Sequence, residues 1–348
     1  MNTLLAPTFE RLGMTLRPDR QLETDRLGVL NPASARLRDG SLELYPRMVA
    51  PGNISRIGDF HTRESGRTIT CEQRGFALEP SEPYEIRTEP GGYGCEDPRV
   101  TFIAAIDKYV MAYVAFGAPG PEIAVAVSDD GRAWERLGPL RFEGTKPMAD
   151  KDAAFFPEPV RSPQGVESFA FYHRPTLQLS IRDGEDALAY IQKLPQEERE
   201  GIAIGFIPFA AVRKDLRNFC CCTETYRLKL PQAEWGVIKV GAGTPPVRVR
   251  EGWMSVIHGV DILEHPKGSA RLRYSGGVIV HDAEHIENVI YRSPQPLLVP
   301  EKPAELHGAV GHVVFPTAID PRGERVFDIY YGMADYEIGR GRLTLGDT

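Results

Sequence analysis

The run Gly94-Cys95-Glu96-Asp97-Pro98-Arg99 places two carboxylates and a guanidinium directly ahead of a strongly apolar segment. A carboxylic acid held at such a point can pass a proton to a leaving oxygen. Pro98 biases Asp97 towards an extended backbone, which would fix the direction of its side chain. The plainer account is a surface turn with an Asp–Arg pair. Further on, Lys151-Asp152-Ala153-Ala154-Phe155-Phe156-Pro157-Glu158 and Tyr172-His173-Arg174-Pro175 each set a cation at the edge of an aromatic, apolar run. Lys239-Val240-Gly241-Ala242-Gly243-Thr244-Pro245-Pro246 has the look of a phosphate-binding glycine loop. It lacks the GxxxxGK[ST] order and no helix pattern follows, so a nucleotide P-loop is rejected. His258 closes the run after Gly252-Trp253, and Asp335 closes Tyr330-Tyr331-Gly332-Met333-Ala334. Carboxylates among Trp and Tyr suit sugars. The separated cations Lys151, Arg174, Lys239 and His258 suit phosphate or another small anion. Neither GxSxG nor HExxH occurs, nor an EF-hand loop or a Rossmann fingerprint, and no residue set has metal-ligand spacing.

The elements that would carry these residues are short and β-like. Ser41–Tyr45, Val100–Ala105, Tyr109–Phe116, Ile123–Val127, Ser168–Tyr172, Trp235–Val240, Trp253–His258, Gly277–Val280 and Val326–Tyr331 are mostly rich in Val, Ile, Tyr or Phe and bounded by turn residues. Gly 34 and Pro 29 are spread along the chain, with no concentrated linker. Such a pattern predicts an all-β sandwich, barrel or propeller. One stretch, Gly184–Glu200, reads as helical, with Pro195 as its breaker. It opens an expected insertion over about 184–217, a surface excursion, lid or oligomer contact. Ser128-Asp129-Asp130-Gly131-Arg132-Ala133-Trp134 predicts a tight turn with a left-handed residue and a Trp covering the sheet edge. No internal repeat is visible.

The chain has 348 residues, a formal charge of −7, 42% hydrophobic and 26% charged residues. That composition excludes a disordered chain, a collagen-like fibre and a coiled coil. No basic block points to nucleic acid. Charges throughout the first twenty residues argue against a signal peptide, and no apolar window has the length of a membrane span. Five cysteines, three of them adjacent at Cys220–Cys222, do not form a disulfide framework and read as a reduced, partly buried strand. These features predict a cytoplasmic protein.

Taken in order, the motifs resemble glycoside hydrolase family 130, the β-mannoside phosphorylases and related β-mannosidases. The resemblance runs from about Asn31 to Gly341. It rests on Asn31-Pro32 before Arg47, Ser55-Arg56-Ile57-Gly58, the Gly94–Arg99 run, KDAAFFPE at 151–158, HRP at 173–175 and KVGAGTPP at 239–246. It continues through GW…HGV at 252–260, YSGG at 274–277, YRSPQPLLVPE at 291–301 and YYGMAD at 330–335. The resemblance implies a five-bladed β-propeller, here with a short helical insertion: an N-terminal extension over 1–30 and a single catalytic domain over 31–341. It implies single-step inversion, with phosphate attacking the anomeric carbon and α-mannose 1-phosphate released. Asp97 would then be the proton donor, relayed through a hydroxyl of the bound mannose. Lys151, Arg174, Lys239 and His258 would hold phosphate, and Asn31, Arg47, Glu305 and Asp335 would hold mannose.

That assignment is chemically economical. Inverting hydrolysis needs an acid and a base to activate water. Phosphate is already an anionic nucleophile, so one acid and a cationic cradle suffice. Inorganic phosphate is therefore expected as co-substrate, without cofactor or metal, and a β-mannoside as the partner. Nucleic acid and membrane are not expected, and a homo-oligomer is left open. The rival within the family is a β-mannosidase, which would lack a complete cradle and carry an extra catalytic glutamate. The rival outside it is a sugar-binding propeller without catalysis, which would have eroded Asp97 or the cradle. Cys95 ahead of the acid pair and the long excursion to Cys222 depart from the family pattern. The linkage, β-1,2 or β-1,4, and the aglycone, mannose, glucose or N-acetylglucosamine, depend on the rim loops.

Overall fold

The computed structural model describes residues 6–144, 149–177, 186–231, 233–263 and 271–346. The strand Lys108–Gly117 explains why the sequence gives apolar runs instead of clean alternation. Val110 and Ala112 enter one core, whereas Tyr109, Met111, Tyr113 and Ala115 enter another. Phe169 and Phe171 likewise separate from Ala170 and Tyr172. A strand buried on both faces must be apolar at consecutive positions.

Five antiparallel blades result. The first contains Gly28–Arg36, Leu42–Ala50, Ile54–Ser65 and Thr68–Leu78; the second Tyr93–Ile103, Lys108–Gly117, Gly120–Ser128 and Glu135–Pro139. The third is Asp150–Phe155, Glu167–Pro175, Ala203–Pro208 and Glu224–Arg227. The fourth is Lys239–Gly241, Gly252–Leu263, Arg271–His281 and Val289–Arg292, and the fifth Val314–Gly323, Val326–Met333, Glu337–Thr344 and Thr8–Leu16. Between neighbouring blades lies a core. Tyr45 and Tyr113 fill the first, Val110 and Phe171 the second, Phe156 and Trp253 the third, Val256 and Phe327 the fourth. A fifth core, with Leu44, Phe60, Tyr330 and Ile338, joins the last blade to the first and closes the ring. The architecture is the five-bladed β-propeller that the motifs imply.

Three expectations need correction. The segment 1–30 is no mere extension, because Thr8–Leu16 is the outer strand of the fifth blade, paired from Thr8↔Thr344 to Leu16↔Ile338. The stretch 184–217 is not wholly an insertion either. Its Ala203–Pro208 is the third strand of the third blade, hydrogen-bonded on both sides. The helix there is short, Ala187–Lys193, capped by Asp186 and ended at Leu194 ahead of Pro195; Gly184 and Glu185 lie outside the described residues. Lastly, of the predicted strand Trp235–Val240 only Lys239 and Val240 are extended, as the start of the strand Lys239–Gly241. Gly236 turns the chain at φ +88°, and the Trp235 indole lies against Gly259 and Gly277 and donates to the Ser293 carbonyl at 2.9 Å.

The turn after Ser128 forms as expected. Gly131 has φ +74°, Asp130 accepts from the Arg132 and Ala133 amides, and Trp134 meets Tyr45 edge-on at 5.6 Å. All five cysteines are free, and burial pushes the Cys220 thiol up to about 12. No helix among the described residues is long and apolar enough to cross a membrane.

Candidate active site

The innermost strands of the first three blades share a backbone device. Each breaks register with its neighbour, between Leu30 and Ala33, Glu96 and Arg99, and Lys151 and Ala154. Inside each bulge sits a polar residue at positive φ: Asn31 at +43°, Asp97 at +45° and Asp152 at +62°. The extended geometry expected for Asp97 ahead of Pro98 is thus not adopted. The bulge demands a left-handed residue, and Asp and Asn tolerate that region best among side chains with a Cβ. Asp335 has the same conformation, φ +51°, in the turn after Val326–Met333. Four non-glycine residues in this strained region, all polar and convergent, are what a functional site looks like.

Asn31, Arg47 and Asp97 are brought together as the sequence suggested. The Asn31 amide donates to Asp97 Oδ1 at 2.9 Å, and Arg47 reaches the same oxygen at 3.3 Å. Arg47 also donates to Glu96 at 2.7 Å and to Ser55 at 3.0 Å. Asn31 Oδ1 is buried against Gly332 without a hydrogen-bond partner. Burial pushes the Asp97 carboxyl up, but Arg47, Arg99, the Asn31 hydrogen bond and Lys151 outweigh it and hold it below its ordinary value. Asp335 goes the other way. Burial, then the Asp97 charge, push it up to about 6 against the pull of Arg47.

A second cluster adjoins the first. Arg174 Nε donates to Asp152 Oδ2 at 2.6 Å, and His258 Nε2 lies 3.7 Å from the same oxygen. Lys239 Nζ sits 5.3 Å from the centre of the Tyr274 ring, which stacks on the imidazole of His258 at 6.0 Å. Gly241 makes this packing feasible, since a Cβ there would come within 2.3 Å of both Asp152 Oδ2 and His258 Cε1. The glycine loop therefore clears space for side chains. Arg99 joins the clusters: Nη1 donates to the Asp97 carbonyl at 2.7 Å, Nε to the Gly243 carbonyl at 3.0 Å, and Nη2 is 4.0 Å from Asp152.

His258 is not the cation its place in the sequence suggested. Burial is the main cause, and Arg174, Lys239 and Arg99 add to it; together they outweigh Asp152 and lower the imidazole to about 3. Its Nδ1 faces the Ala242 carbonyl at 3.1 Å and so carries the proton. That leaves Nε2, buried and without a partner, as a hydrogen-bond acceptor.

Two residues sit differently from expectation. Lys151 leans towards the acidic cluster, where its charge acts on Asp97 and Asp335, while its neighbour Asp152 faces Arg174. The bulge that puts Asp152 at positive φ separates the two. Glu305 joins neither cluster. It accepts from Arg11 Nε at 2.8 Å, from the Tyr331 hydroxyl at 3.2 Å, and from the Glu301 and Lys302 amides at 2.8 and 3.0 Å. Both of its oxygens are engaged. The sequence reading passed over Asp152, Arg99 and Glu200 as site residues. Asp152 and Arg99 stood inside quoted motifs, but Glu200, which accepts from Arg174 Nη1, gave no local signal.

A family model described as beta-1,4-mannooligosaccharide phosphorylase matches residues 5–197 and 225–347. A 1,2-beta-oligomannan phosphorylase from Thermoanaerobacter sp. (strain X514) is 26% identical over 335 residues, 95% of each chain. Among solved structures, a beta-1,2-mannobiose phosphorylase from Listeria innocua in complex with beta-1,2-mannobiose superposes with a TM-score of 0.70. It is 20% identical and covers 99% of this chain and 97% of its own. A structure described among the glycoside hydrolases of the same family that target beta-1,2 mannosidic linkages in Candida mannan has a TM-score of 0.71 at 17% identity. That match covers 98% of this chain and 95% of the other.

Proposed function

The chain belongs to glycoside hydrolase family 130, and we propose that it cleaves β-1,2- or β-1,4-linked mannosides by inverting phosphorolysis. The observation that carries the reading is the juxtaposition through Arg99 of an acidic, sugar-type cluster and a cationic, anion-type cluster. Mannose would sit against Asn31, Arg47 and Asp335. Phosphate would sit between Arg174, Lys239 and His258. A neutral His258 favours a phosphate that still carries a proton, because Nε2 can accept its O–H while the two cations hold the charged oxygens.

In the reaction a phosphate oxygen bonds to the anomeric carbon from one face as the glycosidic C–O bond breaks on the other. The leaving oxygen takes a proton from a mannose hydroxyl, which takes one from Asp97. The charges around Asp97 stabilise the carboxylate left at the end of this relay, so Asp97 is a strong acid. The same charges make its protonated form scarce in the free enzyme. Sugar binding, by excluding water, raises the proton affinity of Asp97 and sets it for donation. Glu305 is assigned to the fold instead of to mannose. Phosphate serves as co-substrate, with no cofactor, and the reduced cysteines fit a cytoplasmic address.

Glu200 on Arg174 is the one feature that favours hydrolysis, since a carboxylate in that place can activate water. Retention of Arg174, Lys239 and His258 together weighs for phosphate. The test is product analysis on β-1,2- and β-1,4-mannobiose with and without inorganic phosphate. Mannose 1-phosphate formed only with phosphate is the expected result. Free mannose at a phosphate-independent rate would place the enzyme with the hydrolases.

A further inference from the structure

Arg174 has two anionic partners, and only one of them belongs to the buried floor of the site. Asp152 holds Nε at 2.6 Å from inside its bulge. Glu200 holds Nη1, and its other oxygen accepts from the Leu177 amide at 3.2 Å. Phosphorolysis would use the outer nitrogens of Arg174 for phosphate. Glu200 therefore occupies a position that the nucleophile needs, and two anions on one guanidinium nitrogen repel each other.

Behind Glu200 lies a cavity of about 310 Å³ between the third and fourth blades, lined also by Lys239, Arg227 and Arg292. Arg227 and Arg292 make no ion pair with any described carboxylate. Arg292 donates to the Pro231 and Trp235 carbonyls, each at 2.8 Å, and leaves a buried Nε without a partner. Arg227 donates to the Arg199 carbonyl. The cavity is thus rich in cations, with Glu197 acting on Arg227 from the same lining, and it borders the segment that carries Glu200.

We propose that Glu200 controls phosphate entry: its carboxylate occupies Arg174 while phosphate is absent, and incoming phosphate displaces it towards Arg227 and Arg292. The inference rests on the phosphorolysis reading and adds a gate to it. Glu200 gives the buried guanidinium, already paired with Asp152, a second anion between turnovers, at the cost of weaker phosphate binding. It also makes phosphate affinity depend on where one carboxylate rests.

The test compares wild type with Glu200→Gln in phosphate saturation kinetics and in thermal melts titrated with inorganic phosphate. The amide keeps the size of the side chain and one accepting oxygen, removes the charge, and gives up one of the two bonds that the carboxylate accepts from Leu177 and Arg174. The phosphate KM should fall roughly tenfold with the mannoside KM unchanged, and phosphate should raise the melting temperature of the variant more than that of wild type. Arg227→Gln should shift phosphate KM upward by a few-fold, because the displaced carboxylate loses its resting place. An unchanged or raised phosphate KM in Glu200→Gln, with wild type strictly phosphate-dependent, would overturn the gate alone. Phosphate-independent release of mannose by wild type, lost in Glu200→Gln, would overturn the gate and the phosphorolysis reading together and make Glu200 the base that activates water.

Discussion

Around Asp97 and around Arg174, burial acts on ionisable groups with opposite outcomes. On the Asp97 side, Asp335 is pushed up to about 6 by burial and by the neighbouring carboxylate, while Asp97 is held down by two guanidinium groups, an amide and Lys151. On the Arg174 side, burial and three cations drive His258 down to about 3 and leave it neutral. One half therefore gathers carboxylates and hydrogen-bond acceptors, which suits hydroxyls. The other gathers fixed positive charge and one neutral acceptor, which suits a protonated anion. What separates them is one guanidinium, Arg99, and the bulge that sends Lys151 one way and Asp152 the other. The lesson is that the division of labour lies in the pairing of charges and not in the residue types, since both halves contain acids and bases.

The sharpest way to break the comparison is Asp97→Asn. If the acidic half supplies the proton, turnover should fall by about 10²–10⁴-fold in a steady-state assay run at a temperature where the melting curve shows the variant still folded. Retained turnover would remove Asp97 from the relay. Lys239→Met addresses the other half. It should raise the phosphate KM by about 10–100-fold, the worth of one charged hydrogen bond, and leave the mannoside KM alone. An equal rise in both constants would mean that the two halves are not separate subsites.

Asp335 sharpens the comparison through pH. Its folded-state value, about 6, lies above the ordinary 3.8, so the folded form binds more protons and stability is lost as pH rises through that window. Asp335→Asn should then stabilise the protein at pH 7.5, by up to about 3 kcal/mol, and give no gain near pH 4. The same variant should weaken mannoside binding around tenfold if the carboxylate holds a hydroxyl. Thermal melts across pH 4–8 and mannoside KM check the two claims separately. The smallest catalytic effect is expected at Glu305. Glu305→Gln should cost about 1.5–3 kcal/mol of stability and leave the mannoside KM within about twofold. A large rise in that KM would return Glu305 to the sugar site.

Much of the fold was legible because strands buried on both faces leave continuous apolar runs, as Tyr109–Phe116 and Ser168–Tyr172 do. Thr8–Leu16 was illegible for the converse reason. As an edge strand it carries Glu10, Arg11 and Gly13, and no pattern marks its partner at the far end of the chain. Ala203–Pro208 was hidden by the helical composition ahead of it. At the site, residue identity was readable but conformation and charge were not. Pro98 argued for an extended Asp97 because it speaks only for its own dipeptide, and the bulge is set by pairing with Lys108–Gly117. The neutrality of His258 depends on cations from the second and third blades and from its own. No local motif can report that. Glu305 shows the same limit, since its main partner, Arg11, comes from the other end of the sequence.

The strand Thr8–Leu16 also has a consequence for how the ring is assembled. Its partner Glu337–Thr344 lies at the opposite end of the described residues, so among them this clasp is the most non-local strand pairing. Until it forms, the edge of the fifth blade is unpaired and able to recruit a strand from another chain. Closure is thus expected late in folding, after the local hairpins of the blades. Through Arg11 it also brings the buried carboxylate of Glu305 its cation, so completing the circle and neutralising that charge are one event.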